Sequence, residues 1–116
     1  MRILDCKNEG CKKIVESAPR FPDFWCDECV EHFNTVKETL NLLEVGYTVN
    51  DRIVRGLDYY MRTTFEFLTD KLGSQNAVLA GGRYDGLVKE LGGPDLPGIG
   101  FALGMERLVL LLEQTY

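Results

Sequence analysis

Apolar residues recur every three or four positions in one segment of the first half of the chain. They are Val30, Phe33, Val36, Leu40 and Leu43. This spacing is typical of an amphipathic helix. Asp27 is suited to cap its start and Gly46 to end it, which predicts a helix over about residues 27–45. A shorter helix is predicted after Asn8, ending before Pro19, because the residue preceding a proline disfavours the helical region.

The pattern changes after Gly46 to short extended segments rich in Thr, Val, Phe and Tyr. Such segments predict antiparallel strands over residues 47–49, 63–68 and 77–80. A short helix over residues 87–91, a strand over 99–103 and a helix over 105–113 complete the prediction. The order is helices, a series of strands, then a strand followed directly by a helix. This order predicts an α+β fold.

Composition places the chain among ordinary globular proteins. It has 116 residues, of which 45% are hydrophobic and 27% charged, so a disordered or fibrous chain is excluded and one compact unit is expected. It has 13 Lys and Arg residues and 18 Asp and Glu residues, which gives a formal net charge of -5. No long-range positive field draws the whole chain to nucleic acid, so any contact with RNA must be local or made by another part of a larger protein.

Membrane insertion and secretion are not indicated. The longest aliphatic stretch, residues 108–112, is far shorter than the roughly 20 residues of a membrane span. Asp5 interrupts the apolar start of the chain, so the pattern of a secretory signal is absent. A cytoplasmic location is therefore expected, in which cysteines are thiols or metal ligands more often than disulfides.

The cysteines form two close pairs. Cys6 and Cys11 are separated by four residues, Cys26 and Cys29 by two, and 14 residues lie between the pairs. Two pairs joined by a loop are typical of a four-thiolate structural zinc site, which leaves no open position for substrate. The alternative is four thiols without metal. His32, three residues after Cys29, could replace one thiolate as a ligand, but a histidine at such a position is more often a solvated helix residue.

Nine of the 12 glycines lie between Gly73 and Gly104. Two glycine-rich strings, residues 81–86 and 98–104, contain neither a phosphate loop nor a dinucleotide fingerprint. The glycines either form turns and close strand contacts, or they leave a bare backbone against which a flat base or small substrate can lie. The division of cysteines and glycines suggests two parts, residues 1–46 and 47–116.

Three arginines lie near glycines: Arg55 precedes Gly56, Arg83 follows Gly82, and Arg107 lies three residues after Gly104. Arginine suits polyphosphate because its planar donors meet phosphate oxygens in pairs and remain charged. The alternative is a salt bridge, such as Arg55 with Asp58 or Arg107 with Glu106. Tyrosines near strand ends are equally ambiguous between core and ligand contact.

Three strings, taken together, resemble the histidyl-tRNA synthetase family. They are Arg55-Gly-Leu-Asp-Tyr-Tyr60, Ala80-Gly-Gly-Arg-Tyr-Asp-Gly-Leu87 and Gly98-Ile-Gly-Phe-Ala-Leu-Gly-Met-Glu-Arg107. The first two resemble the two histidine-binding signatures of that family, and the third resembles motif 3 of class II aminoacyl-tRNA synthetases. The stretch from Arg2-Ile-Leu-Asp-Cys-Lys-Asn8 through Ala18-Pro19 and Glu31-His-Phe33 resembles the insertion that precedes the first signature in bacterial members. The resemblance therefore spans nearly the whole chain.

The resemblance implies roles for the matched positions. Arg55 would neutralise charge on the α-phosphate of ATP and act as the catalytic residue. Histidine would be bound by the two signatures, at Tyr59, Tyr60, Gly81, Gly82 and Tyr84. Arg107 would contact the terminal phosphate of ATP, Gly104 would let the adenosine lie close, and Arg83 and Asp85 would be structural partners. The resemblance implies nothing about Cys6, Cys11, Cys26 and Cys29, so zinc rests on their spacing alone.

The family implies a cytoplasmic homodimer that takes histidine, ATP with Mg²⁺ and tRNA(His). It forms histidyl-adenylate and transfers the histidyl group to the tRNA. Motif 1, motif 2 and the anticodon-binding domain of the family have no counterpart in the sequence. We therefore expect a partial class II sheet with flanking helices, a fragment that is inactive alone and self-associates through uncovered strand edges.

Two other functions remain open from the sequence. The synthetase-like regulatory subunit of ATP phosphoribosyltransferase shares this fold without catalysis. The complete first signature and Arg107 favour the synthetase, because a regulator need not keep phosphate-neutralising groups. A free-standing zinc-binding interaction module would account for residues 1–45 but would leave both glycine-rich strings unexplained.

Overall fold

The computed structural model describes residues 4, 6, 8–53, 56, 58–73 and 76–115. The chain divides into two compact units, Met1–Gly56 and Leu57–Tyr116, and not into the single unit expected from its length. Each unit has its own secondary structure, helical in the first and α+β in the second.

The first unit begins with helix α1, Glu9–Glu16, as predicted. The side-chain oxygen of Asn8 accepts a hydrogen bond from the backbone N–H of Gly10 at 2.8 Å, which caps the helix. Val15 on this helix is the buried apolar side chain of the described residues, at 5% exposure. A 3₁₀ helix, Phe21–Phe24, follows. It was not predicted, because a proline such as Pro22 is equally common in an ordinary turn.

Helix α2 spans Asp27–Leu42, so it begins where predicted but ends three residues early. Cys26, and not Asp27, occupies the N-cap position. Glu44 adopts a left-handed backbone with φ of 55°. The N–H groups of Glu44 and Val45 donate to the carbonyls of Asn41 and Leu40 at 3.1 and 2.9 Å. This is a Schellman ending, and it closes the helix before the glycine expected to end it is reached.

The second unit contains a three-stranded antiparallel sheet in the order β1-β2-β3. Its strands are β1, Thr64–Leu68, β2, Ala77–Arg83, and β3, Ile99–Leu103. Strand β2 extends through Gly81 and Gly82, three residues beyond the prediction. The predicted strand over residues 47–49 is wrong, because these described residues pair with no strand in the structure.

Two helices complete the second unit: α3, Leu87–Glu90, and α4, Met105–Thr115. Strand β3 passes directly into α4 through Gly104, whose N–H donates to the carbonyl of Val78 on β2 at 3.0 Å. The predicted α+β class is confirmed. The junction of β3 with α4 thus lies beside the start of β2, whereas the end of β2 pairs with the start of β3. Among the described residues, no helix combines the length and apolarity needed to cross a membrane.

Candidate functional site

The glycines of β2 and β3 face one another across the sheet. Gly82 pairs with Gly100, and Arg83 pairs with Ile99. Tyr84 continues this register beyond the end of β2, because its N–H donates to the carbonyl of Gly98 at 2.8 Å. Since side chains alternate between the faces of a strand, positions 82, 84, 98 and 100 share one face of the sheet.

Tyrosine rings occupy the space that side chains at these glycines would take. A Cβ at Gly98 would contact the Tyr84 ring, lying 2.7 Å from its Cδ2. A Cβ at Gly100 would lie 2.6 Å from the hydroxyl oxygen of the same tyrosine. A Cβ at Gly82 would lie 2.8 Å from Cδ1 of Tyr60. The glycines therefore admit tyrosine rings to this face of the sheet.

Three tyrosines form a cluster above this face. The ring centroids of Tyr59 and Tyr60 are 4.8 Å apart, and those of Tyr59 and Tyr84 are 5.9 Å apart in an edge-on arrangement. Tyr60 and Tyr84 are 6.5 Å apart. Burial raises the pKa of Tyr59, and the neighbouring hydroxyls of Tyr60 and Tyr84 raise it further. The structure thus brings together Tyr59, Tyr60 and Tyr84 from two separate strings of the sequence.

Asp85 forms an ionic contact with arginines from two directions. Its carboxylate oxygens accept hydrogen bonds from Nε of Arg83 at 2.6 and 2.8 Å. Nε of Arg62 lies 4.0 Å from the same carboxylate. Arg62 has a left-handed backbone with φ of 61°, an uncommon conformation for a residue other than glycine. The pairing of Arg83 with Asp85 agrees with the structural role expected from the sequence. Arg62 was not expected as a partner, because no motif in the sequence includes it.

Arg107 lies at the start of α4, beside the junction with β3. Its Nη1 donates a hydrogen bond to the backbone carbonyl of Ala77 at the start of β2. A Cβ at Gly104 would lie 3.1 Å from Cδ of Arg107, so this glycine leaves room for the arginine stem. The guanidinium is therefore held at the start of β2 by its hydrogen bond to Ala77. Arg55, the expected catalytic residue, lies outside the described residues.

The cysteines do not form the predicted zinc site. All four and His32 are described, yet the described part of the chain contains no group of three or more Cys, His, Asp or Glu side chains placed to hold a metal ion. Cys11 hydrogen-bonds with Cys6, and Cys26 with Cys29, so each pair is organised locally. Between them, α1 and the 3₁₀ helix are built by their own backbone hydrogen bonds. Zinc at Cys6, Cys11, Cys26 and Cys29 is not supported.

We expect the two cysteine pairs to differ in reactivity. Hydrogen bonds from the backbone N–H and then the thiol of Cys29 lower the pKa of Cys26, whereas a hydrogen bond with Cys6 and then burial raise the pKa of Cys11. Since the thiolate is the nucleophile, iodoacetamide at about pH 7.5 should alkylate Cys26 before Cys11. Mass spectrometry of timed samples measures the two alkylation rates. The difference between the rates should shrink above pH 9.0, the ordinary pKa of both thiols. Equal rates at the lower pH would contradict it.

The sequence model described as histidyl-tRNA synthetase matches residues 6–108 of this chain. The chain belongs to the histidyl-tRNA synthetase family. Named relatives agree with this assignment. The chain is 64% identical over 115 residues to the histidine–tRNA ligase of Desulfotalea psychrophila and 60% identical over 111 residues to that of Syntrophotalea carbinolica. These alignments cover 98% and 96% of the chain.

Solved structures place the fold in the same family. The crystal structure of apo histidyl-tRNA synthetase from S. aureus is 44% identical, with a TM-score of 0.74 over 84% of this chain. The match covers 26% of the S. aureus chain, and the chain spans 27% and 26% of the two curated ligases. These 116 residues therefore correspond to about a quarter of a histidyl-tRNA synthetase.

Proposed function

We propose that these residues form part of the histidine- and ATP-binding core of a histidine–tRNA ligase. One observation carries the proposal: in a chain matched to this family over residues 6–108, three tyrosines from two strings converge on one glycine-bearing face of the sheet. Aromatic rings with polar edges suit a flat imidazole, which needs both apolar contact and hydrogen-bonding partners. Tyr60 and Tyr84, with Tyr59 behind them, are the proposed imidazole contacts.

The reaction proposed is attack of the histidine carboxylate on the α-phosphate of ATP, which arrives as its Mg²⁺ complex. Pyrophosphate leaves, and the histidyl group of the adenylate then passes to a hydroxyl of the terminal ribose of tRNA(His), with AMP as the leaving group. Negative charge accumulates on the phosphate oxygens during attack, so catalysis depends on fixed positive charge and positioning. Arg55 is proposed to neutralise the α-phosphate.

Arg107 is proposed to hold the terminal phosphate of ATP. Its hydrogen bond to the Ala77 carbonyl and its packing beside Gly104 restrain the side chain before any ligand binds. A restrained arginine loses less conformational entropy on meeting a phosphate than a free one. Gly104 is proposed to keep the adenosine face open, and Gly81 and Gly82 to form the backbone beneath the histidine.

The proposal extends to organisation and location. Residues 1–46 would be an insertion and residues 47–116 the distal part of a class II catalytic core, in a homodimeric cytoplasmic enzyme. The first compact unit ends ten residues later, at Gly56, so the proposed boundary lies within it. Apolar side chains on β1, β3 and α4 are widely exposed, among them Phe67 at 59% and Phe101 at 66%. Such faces suit contact with the remainder of a larger core.

Histidine-dependent exchange of labelled pyrophosphate into ATP tests the proposal. A full-length synthetase carrying these 116 residues should catalyse the exchange with histidine and not with other amino acids. The 116-residue chain alone should not catalyse the exchange. Catalytic groups act together, so removing some of them lowers the rate far more than the sum of their separate contributions would suggest. Absence of exchange by the full-length protein, with ATP phosphoribosyltransferase activated by its addition, would overturn the synthetase and favour the regulatory subunit.

A further inference from the structure

Gly98 and Gly100 need an explanation other than backbone conformation. Glycine is favoured where φ is positive, as at Gly73 and Gly92, with φ of 68° and 86°. Neither Gly98 nor Gly100 has such a φ. Both lie on or beside a regular strand, where glycine has no side chain to pack and weakens the sheet. Space, and not conformation, is therefore the reason for glycine here.

That space is filled by a single side chain. The Tyr84 ring lies over Gly98, and its hydroxyl lies over Gly100. The hydrogen bond from the Tyr84 N–H to the Gly98 carbonyl holds the backbone of the tyrosine against the same strand. The ring also makes an edge-on contact with Tyr59. Backbone atoms of β3 thus define where the ring and its hydroxyl lie.

We propose that Gly98 and Gly100 are positioning residues that set the location of the Tyr84 hydroxyl and thereby the selection of histidine. The inference rests on the proposed function, in which Tyr84 contacts the imidazole. Any side chain at position 100 would overlap the hydroxyl, which lies 2.6 Å from the position of its Cβ, so the ring would have to move. A displacement below 1 Å suffices to break a hydrogen bond to a bound ligand.

The two glycines act on different atoms of Tyr84, which gives a sharp test. At Gly100 the close atom is the hydroxyl oxygen at 2.6 Å, while the ring carbons Cε1 and Cζ are 3.4 Å away. At Gly98 the close atoms are the ring carbons Cε2 and Cδ2. Removing the hydroxyl by Tyr84→Phe should therefore relieve overlap with an alanine at position 100 but not with one at position 98.

The experiment measures pyrophosphate exchange in a full-length synthetase carrying these residues. Gly100→Ala should raise the KM for histidine roughly tenfold, the size expected of one lost hydrogen-bonding partner, with the KM for ATP little changed. In the Tyr84→Phe background, Gly100→Ala should add almost nothing, whereas Gly98→Ala should still weaken histidine binding. Gly46→Ala is the matched control, because a Cβ there meets nothing within 4 Å.

Each outcome decides the matter. If the parent protein shows no histidine-dependent exchange, the proposed function fails. If the parent is active and Gly100→Ala behaves like Gly46→Ala, or if its effect adds fully to that of Tyr84→Phe, the positioning role alone fails. Should Gly100→Ala prevent folding, recovery of folded protein on adding Tyr84→Phe supports the contact, and absence of recovery overturns it.

Discussion

Arg55→Ala in a full-length synthetase carrying these residues should lower the rate of histidine activation roughly 10²- to 10³-fold, the effect of removing one preorganised charge-stabilising group. The proposed contact is with charge that develops on the α-phosphate during attack. An interaction made mainly in the transition state affects the rate more than the binding of the ground state. Histidine affinity, measured by calorimetry without ATP, should therefore change little.

Two further variants sharpen this experiment. Arg55→Lys keeps the charge but loses the paired donors of the guanidinium, so it should give an intermediate rate. Arg52→Ala removes the same charge three residues earlier and should leave the rate near that of the parent. The hydrogen bond of Arg52 to the Asn50 side chain is donated by its backbone N–H, which alanine keeps. An unchanged rate in Arg55→Ala, or an equal fall in rate and histidine affinity, would refute the assigned role.

Gly81→Ala should destabilise the β2–β3 pairing by at least about 2 kcal/mol, in the range of severe overpacking. Gly81 is buried and pairs with Phe101. A Cβ there would meet the carbonyl oxygen of Gly100 and lie 2.6 and 2.8 Å from Cβ and Cα of Phe101. These are atoms fixed by the hydrogen bonds of the ladder, so they cannot rotate away as the end of a flexible side chain would.

The measurement combines thermal unfolding with hydrogen exchange of the peptides that cover β2 and β3. Gly81→Ala should lower the unfolding midpoint and speed exchange in these peptides before the rest of the protein. Gly46→Ala again serves as the control, because its Cβ would enter open space. If both variants unfold and exchange alike, the close approach of β2 and β3 at this position is not a constraint on stability.

Local patterns were sufficient to predict most elements because their causes are local. The Asn8 cap and the helical spacing after Asp27 each depend on residues within one or two helical turns. The end of α2 was predicted less well. A glycine usually supplies the left-handed residue of a helix ending, and here Glu44 does so two residues before Gly46.

Three other failures of the sequence prediction depend on contacts between residues distant in sequence. Residues 47–49 have strand composition, yet a strand exists only where another strand pairs with it. The cysteine spacing is typical of zinc ligands, yet spacing does not decide whether two pairs converge. The length of β2 was underestimated because Gly81 and Gly82 are poor strand formers, and their pairing with β1 and β3 overrides that preference.

The sequence by itself determined the family, the α+β class and the residue types available for the site, because these follow from motif identity and local periodicity. Only the tertiary structure decided what the glycines are for. In sequence, Gly82, Gly98 and Gly100 were compatible with turns, close strands or an open floor for a ligand. The antiparallel register places them on one face, where the rings of Tyr60 and Tyr84 fill the space that side chains would need.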